Sequence, residues 1–384
     1  MTTQPPHIVI AGGGVAAIEA VAALRSLAGH RPRITVLTPT QELPPRPDSV
    51  AAPFGFGMPS ALPYDVIQRK APFDVHAGTL AWVQPEARRV IDDAGRALQY
   101  DALLLAVGAK PLPAVPGAIM FAGPADVAAV ERVLDETARI AFVVPPGSSW
   151  ALPVYELAIM AATELRNRGR VPEITVVTPE AAPLAAFGAE AGAAITALLT
   201  ERGIALRTHA RVVAAADGIL AVEGEPHVLA DRVVALPRLT GPGIIGLPQD
   251  RDGFLPVDEH ARVRGVERVY AAGDATTFAL KLGGLATQQA DAAAETIAAD
   301  LGAAVRPTPF RPVLRGLLLT GGEPLYLRAR LTPDGEPLDA ADVSRRPLWS
   351  PPGKVAGRYL APLLATARPP GLVTGALQDL VKTG

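Results

Sequence analysis

The stretch HIVIAGGGVAA at residues 7–17 decides the fold of this chain. Its first part, His7–Ala11, is short, apolar and β-branched, which predicts a buried strand. Three glycines follow, and residues 15–27 then show the helical periodicity of an alanine-rich helix. A second apolar run at residues 34–37 stops at Thr38. This order predicts a strand, turn, helix and strand unit of the kind that binds dinucleotides.

The glycine turn has the spacing Gly-x-Gly-x-x-Ala, with Gly12, Gly14 and Ala17 at the fixed positions and Gly13 between them. Gly12 permits the tight turn, Gly14 lets the backbone approach a pyrophosphate, and Ala17 permits close packing of helix on strand. The N-terminus of the helix presents unpaired N–H groups to the phosphates. These four residues are therefore predicted to bind a cofactor; a purely structural glycine turn is the alternative.

The second apolar strand recurs later in the chain, because ITVLTP at residues 34–39 returns as ITVVTP at residues 174–179. The repeat predicts a second dinucleotide-type domain. Its turn differs, since Pro145 replaces the first glycine and Trp150 stands in place of the third. A proline has no N–H to donate and an indole fills space that a pyrophosphate needs. The second copy is therefore predicted to be disabled or remodelled.

A third segment returns the chain to the first domain. Residues 269–274, VYAAGD, predict an apolar strand that ends at Gly273 and Asp274, and an alanine-rich helix opens near Gly284. An aspartate at the carboxyl end of a strand can accept hydrogen bonds from ligand hydroxyls; a capping or turn aspartate is the alternative. The strand predicted at residues 100–109, which contains Gly108, closes the first half of this domain.

These elements predict an α/β protein with two Rossmann-like dinucleotide-binding domains, the second inserted in the first, plus a small C-terminal interface segment. We predict the first part of the cofactor domain at residues 1–115 and the domain with the altered turn at residues 116–237. The cofactor domain resumes at residues 238–309, and the C-terminal segment covers residues 310–384.

Composition excludes several classes of function. The 384 residues hold 36 Lys and Arg against 38 Asp and Glu, so no basic field is present to hold nucleic acid. There is no cysteine, which excludes disulfides, thiolate metal sites and cysteine nucleophiles, so redox chemistry must come from a bound cofactor. No metal site is predicted. The absence of a long apolar stretch and of a signal peptide predicts a cytoplasmic protein.

Peripheral membrane contact by the C-terminal segment is the weaker alternative for localisation. Its apolar residues near Leu360 and Leu363 are predicted not to align on one helix, because Gly357 and Pro362 interrupt them.

The combined motifs resemble the two-dinucleotide-domain flavoproteins of the pyridine nucleotide-disulfide reductase superfamily. Within it, residues 46–55, 145–156 and 284–289 resemble the branch of sulfide:quinone reductases, flavocytochrome sulfide dehydrogenases and type II NADH dehydrogenases. The resemblance implies FAD in the first domain, with its pyrophosphate over residues 12–14 and Asp274 on the ribityl chain. It also implies that the helix start faces the pyrimidine edge of the flavin. The further cofactor contacts implied are Arg46, Gly108, Gly273, Gly284, Leu285 and Ala286.

Three departures from the family limit what carries over. Thr38 ends the second strand where the family has an acidic residue for the adenosine ribose, so Thr38 is the predicted ribose contact and Glu42 a substitute. The altered second turn leaves binding of NAD(P)H open. The absence of cysteine excludes the dithiol and polysulfide chemistry of the family.

Two catalytic residues are predicted. Glu156 stands where the family places a helix glutamate near the flavin, and burial there would raise its pKa and let it relay a proton to N5; a helix-start glutamate favoured by the dipole is the alternative. Lys281 would stabilise negative charge on reduced flavin, with a solvated surface charge as the alternative.

Four further side chains carry two interpretations each. Trp150 and Tyr155 would either stack near the flavin or a quinone or pack the remodelled turn. Gln288 and Gln289 would either meet the flavin edge or a quinone or serve only as caps.

The sequence thus predicts an FAD-dependent oxidoreductase that passes electrons from a small reductant through FAD to an acceptor such as a quinone, without cysteine chemistry. A type II-like NAD(P)H dehydrogenase and a non-catalytic flavin-binding protein are the alternatives. Small molecules are the expected partners.

The purified protein should be yellow and should release FAD, not FMN, on denaturation, because the predicted turn at residues 12–14 binds a pyrophosphate and FMN has none. Absorbance and chromatography of the released cofactor measure this. A colourless protein that cannot be reconstituted would contradict the whole site assignment.

Overall fold

The computed structural model describes residues 4–58 and 60–367, and two five-stranded, wholly parallel sheets dominate that part of the chain. In spatial order, the strands of the first sheet are Val269–Ala271, Ala102–Leu105, His7–Ala11, Arg33–Thr38 and Asp74–Ala77. The strand at one edge comes from much later in the sequence than the other four. The second domain is therefore inserted in the first, which confirms the predicted α/β fold class.

The second sheet repeats the arrangement of the first at its centre. Its strands, in spatial order, are Ile119–Met120, Arg232–Ala235, Arg139–Val143, Glu173–Val177 and Ala205–Arg207. Ile140 pairs with Ile174 as Ile8 pairs with Ile34 in the first sheet. The sequence repeat is thus a repeat of strand pairing. In both sheets the central strands are buried on both faces, as parallel sheets require.

Helices cover these sheets. In chain order they are α1 Val15–Ala28, α2 Tyr64–Gln68, α3 Val127–Glu136, α4 Leu152–Asn167, α5 Ala189–Glu201, α6 Gly283–Asp300 and α7 Leu360–Ala367. Pro362 lies in the first turn of α7, where a proline is tolerated because no intrahelical hydrogen bond is lost. The expectation that Pro362 prevents a helix here was wrong. Leu360 and Leu363 are buried in the core of the first domain. The predicted C-terminal segment continues past residue 367, outside the described residues.

Short antiparallel strands complete the fold. Three-stranded sheets are formed by Leu80–Gln84, Arg89–Asp92 and Ala97–Gln99, by Val212–Ala216, Ile219–Val222 and Val228–Leu229, and by Val313–Leu318, Leu325–Arg330 and Asp342–Ser344. Paired strands are formed by Glu42–Leu43 with Leu62–Pro63 and by Lys110–Leu112 with Arg238–Thr240. The last pair joins the two segments in which the chain passes from one domain to the other. None of the described helices is both long and apolar enough to cross a membrane.

A buried carboxyl pair anchors the C-terminal segment to the first domain. Glu19 of α1 accepts backbone N–H bonds from Tyr359 at 2.7 Å and Leu360 at 2.6 Å, and it is hydrogen-bonded to Asp291 of α6. A Cβ on Gly357 would lie 2.3 Å from Glu19 Oε2, so only glycine fits there. Burial and the neighbouring Glu19 raise the pKa of Asp291 to about 9. The two carboxyl groups therefore share a proton at neutral pH.

We expect stability to fall as pH rises, because this pair keeps a proton in the folded state that separate carboxyls lose near pH ~4. The stability that the pair contributes is fully present below that pH and is lost as pH rises to about 9. Asp291→Asn keeps a donor for Glu19 without a titrating proton. Its melting temperature at pH 8.5 should exceed that of the wild type by roughly 2–4 °C, measured by circular dichroism.

Asp339→Asn is the matched control, since Asp339 is a half-exposed carboxylate paired with Arg330 outside this cluster. Glu295 and Arg358 also face the pair and stay unchanged in both variants. Parallel melting profiles for Asp291→Asn and the wild type between pH 5 and pH 9 would exclude the shared proton.

Candidate active site

A cleft opens where strands of both parallel sheets end. Its walls include Ala109 and Asp274 after two strands of the first sheet, and residues 148–150 and 236–237 after two strands of the second. The antiparallel strand Val313–Leu318 supplies a further wall. Ligands of open α/β sheets bind at the carboxyl ends of the strands, so this cleft is the expected place for chemistry.

The glycine turn has the form that a phosphate-binding site requires. Gly12 has a φ of +111°, and a Cβ there would lie 2.1 Å from the Ala106 carbonyl oxygen, so a side chain is excluded. Gly14 caps α1 without any side-chain hydrogen bond, and a Cβ there would meet no atom within 4 Å. Ala17 is fully buried in the core. The open space at Gly14, beside an uncapped helix start, fits a pyrophosphate.

Thr38 and Gly13 are joined through a buried tyrosine. The Tyr64 hydroxyl donates a 2.6 Å hydrogen bond to the Gly13 carbonyl oxygen, and the Thr38 hydroxyl lies beside it. A Cβ on Gly13 would meet both hydroxyl oxygens within 2.5 Å. Thr38 is only 1% exposed, so its hydroxyl supports the turn from the protein interior. Gly108 has a φ of +75° and open space at its Cβ position.

The turn that carries Asp274 is held by Gln289 of α6. The Gln289 side-chain oxygen accepts hydrogen bonds from the Gly273 N–H at 2.7 Å and the Thr276 hydroxyl at 3.3 Å. Gln289 therefore has a structural role, and it does not face the cleft. A Cβ on Gly273 would lie 3.2 Å from that of Ala286, so this turn lies against the start of α6.

The Asp274 carboxylate lines the cleft and takes part in no hydrogen bond among the described residues. Burial raises the pKa of Asp274, while the charges of Lys281 and Arg46 lower it. A buried carboxylate that receives no hydrogen bond from the described residues can accept hydrogen bonds from the hydroxyl groups of a cofactor.

Lys281 lies beside Asp274 and is buried, so the surface-charge interpretation was wrong. Its Nζ donates to the Thr276 carbonyl and lies 4.2 Å from the centre of the Phe254 ring. Burial lowers the pKa of Lys281 to about 8. No side chain caps α6, which begins two residues later. The Leu285 and Ala286 amides donate to the Leu282 carbonyl, and Gly284 belongs to the same first turn.

Glu156 of α4 and Lys354 of the C-terminal segment form a buried ion pair in the cleft. Lys354 Nζ donates to Glu156 Oε2 at 2.7 Å, and the Leu319 N–H donates to Oε1 at 2.9 Å. The side chains are 0% and 8% exposed. Burial raises the pKa of Glu156, and the Lys354 charge opposes that rise. Sequence reasoning missed Lys354, because no local motif marks it and 198 residues separate the partners.

The turn of the second domain is filled by side chains of this chain. Trp150 packs against Phe187, with ring centroids 6.0 Å apart. The buried Tyr155 hydroxyl donates a 2.8 Å hydrogen bond to Glu180, at the end of the second strand of this domain. Tyr155 therefore packs the remodelled turn, whereas Trp150 also lines the cleft. In the first domain the equivalent space at Gly14 is open.

The cleft brings together four of the predicted catalytic and cofactor-binding residues, namely Arg46, Glu156, Asp274 and Lys281. The other predicted cofactor residues lie in the turns and helix starts behind it. Gln288 is tied to the backbone N–H and carbonyl of Val313, both at 2.9 Å, so its amide holds the antiparallel sheet against α6.

A family model described as pyridine nucleotide-disulphide oxidoreductase matches residues 6–295. Two Mycobacterium tuberculosis proteins described as NADH dehydrogenase-like are 28% identical over 211 residues, covering 50% of this chain and 52% of theirs. The chain thus spans about half the length of the curated relatives that it matches.

Two solved structures share the fold. The sulfide:quinone oxidoreductase of Aquifex aeolicus has a TM-score of 0.76 at 19% identity, covering 88% of this chain and 86% of that one. The ferredoxin reductase for the CYP199A2 system of Rhodopseudomonas palustris has a TM-score of 0.66 at 20% identity, covering 85% and 82%.

Gly14→Val should abolish cofactor retention without unfolding the protein. The φ of −84° suits a side chain and no atom lies within 4 Å, so the loss follows from blocking the approach of the pyrophosphate to the backbone. Bound flavin per chain after gel filtration measures retention, and circular dichroism measures folding.

Gly14→Ala is the graded control, which should retain more flavin because its side chain is smaller. Full flavin content in folded Gly14→Val would show that the pyrophosphate lies elsewhere.

Proposed function

Because this chain belongs to the pyridine nucleotide-disulphide oxidoreductase family, we propose that it is an FAD-dependent oxidoreductase, and that it transfers two electrons from a small-molecule donor to a small acceptor such as a quinone. The chain has no cysteine, so this transfer proceeds without a dithiol or a polysulfide carrier. FAD, when bound, supplies the two-electron redox chemistry.

The proposed cofactor contacts follow from the open and uncapped parts of the site. We assign the pyrophosphate to the turn at residues 12–14, where space and helix amides coincide. Asp274 accepts hydrogen bonds from cofactor hydroxyls, since no donor among the described residues bonds to its carboxylate. Lys281 and the start of α6 place positive charge where a reduced flavin ring would become negative.

The buried pair Glu156–Lys354 carries the proposal for catalysis. Reduction of a quinone takes up two protons as well as two electrons, so a buried carboxyl group in the wall of the cleft has a direct use. Glu156 and Asp274 are the acidic side chains among the described residues that line this cleft. Lys354 holds Glu156 in place with a hydrogen bond, and a proton can pass between the two without changing the total charge. We therefore assign Glu156 the proton transfer and Lys354 its support.

An NAD(P)H dehydrogenase of the type II kind is the second candidate. The name of the Mycobacterium tuberculosis relatives favours it. The turn of the second domain argues against binding of NAD(P)H, because Trp150 packs on Phe187 there and the Tyr155 hydroxyl is hydrogen-bonded to Glu180. The pair Glu156–Lys354 would serve either donor.

Anaerobic stopped-flow absorbance of the holoprotein tests the proposal. We expect NADH and NADPH to bleach the flavin no faster than free FAD, whereas a quinone should reoxidise dithionite-reduced protein well above the free-flavin rate. Glu156→Gln should slow reoxidation by roughly 100-fold and flatten its pH profile, because the proton donor is lost.

Glu323→Gln is the matched control, since the Glu323 carboxylate is exposed and lies outside the cleft. Rapid bleaching by NADH would favour the dehydrogenase instead. Reoxidation no faster than free flavin with every acceptor would leave only a flavin-binding role and overturn the proposal.

A further inference from the structure

Arg315 is a cation in the wall of the cleft without an acidic partner among the described residues. It lies on the strand Val313–Leu318, and its buried Nε forms no hydrogen bond within the described structure. The residue opposite it in the sheet is Arg328, which carries the same charge and is itself paired with Asp342. Burial and Arg328 both lower the pKa of Arg315. An unpaired, half-buried guanidinium is costly, which calls for a partner from outside the described fold.

The other cations of the cleft already face carboxylates. Lys354 is hydrogen-bonded to Glu156, and the charges of Lys281 and Arg46 both lower the pKa of Asp274. Among the described residues, four basic side chains and two acidic ones therefore line the cleft, and Arg315 is the basic one with no acidic neighbour in that part of the chain.

The cofactor phosphates are a poor match for this cation. The turn at residues 12–14, to which we assign them, is not among the residues that line the cleft. Arg315 instead lines the same cleft as Leu317, Leu152 and the pair Glu156–Lys354. It is therefore placed to meet a molecule that enters beside the proposed proton donor.

The remaining lining describes the body of that molecule. Most of the wall is apolar, and it includes two aromatic rings that suit a planar ligand. The large apolar residues include Phe121, Trp150, Leu152, Leu236, Leu282 and Leu317.

We propose that Arg315 binds an acidic group of the substrate, and that this substrate is a largely apolar, planar molecule with one carboxylate or equivalent anion. The guanidinium fork matches a carboxylate with two parallel hydrogen bonds, which an ammonium group does not reproduce. The identification of the ligand as a substrate rests on the proposed function, whereas the binding itself does not.

Equilibrium binding to the oxidised holoprotein tests the inference with a matched pair of probes. 2-Naphthoate and 2-naphthamide have the same planar body and differ in the charge of one group. We expect isothermal titration to show tighter binding of the naphthoate by at least tenfold in the wild type. Arg315→Gln should weaken naphthoate binding by about 10- to 100-fold and leave the naphthamide unchanged, because only the charged hydrogen bond is lost.

Arg315→Lys should recover only part of the preference, since the fork is missing. Arg330→Gln removes a charge from an exposed arginine on the neighbouring strand and should bind both probes as the wild type does. Circular dichroism and flavin content show that each variant is folded and loaded.

Four outcomes would overturn the inference: equal binding of both probes by the wild type, no binding of either, an unchanged preference in Arg315→Gln, or loss of flavin from that variant, which would make Arg315 a cofactor ligand. Because no turnover is involved, these results are separate from the proposed function. A clear naphthoate preference supports the anion site even if no quinone reoxidises the flavin.

Discussion

The close approach of α1 and α6 is the constraint on which the rest of the site depends. Small residues make it possible, because a Cβ on Gly273 would already lie 3.2 Å from Ala286 and 3.4 Å from Ala16. Alanines fill both helices where they face the shared core. This packing brings the starts of two helices and the Asp274 turn to one place. Positive helix ends and an unpaired carboxylate then lie side by side, as a cofactor with phosphates and hydroxyls requires.

The C-terminal segment completes the cleft from the opposite end of the sequence. Glu19 accepts hydrogen bonds from the backbone N–H groups at the start of α7. A few residues earlier in the chain, Lys354 lines the cleft and donates a hydrogen bond to Glu156. The carboxylates of Glu19 and Glu156 are thus hydrogen-bonded by residues that lie 340 and 198 positions away in the sequence. Breaking either contact would leave an unpaired charge in the interior, which costs far more than the loss of a surface ion pair.

The two dinucleotide-type domains each have a five-stranded parallel sheet, but they differ in the turn that gives such domains their function. The first keeps an open glycine turn at Gly14, while the second packs Trp150 on Phe187 and binds Glu180 through Tyr155. The strands and their register are retained because they build the core. The turn lies outside that core, so its residues can differ without disrupting the sheet. In the second domain Trp150 of this turn forms part of the cleft wall.

The sequence by itself determined the two parallel sheets, the insertion of one domain in the other and the glycine turn, because local patterns of apolar residues and glycines dictate strands, helices and tight turns. It also singled out Glu156, Asp274 and Lys281, which the structure brings together in one cleft, and their roles stay predictions. It did not reveal Lys354, the anchor at Glu19, the lack of an acidic partner for Arg315 among the described residues, or the structural use of Gln288 and Gln289. Those features join residues that are distant in sequence, and burial and pairing of charges are decided only when the tertiary structure brings the segments together.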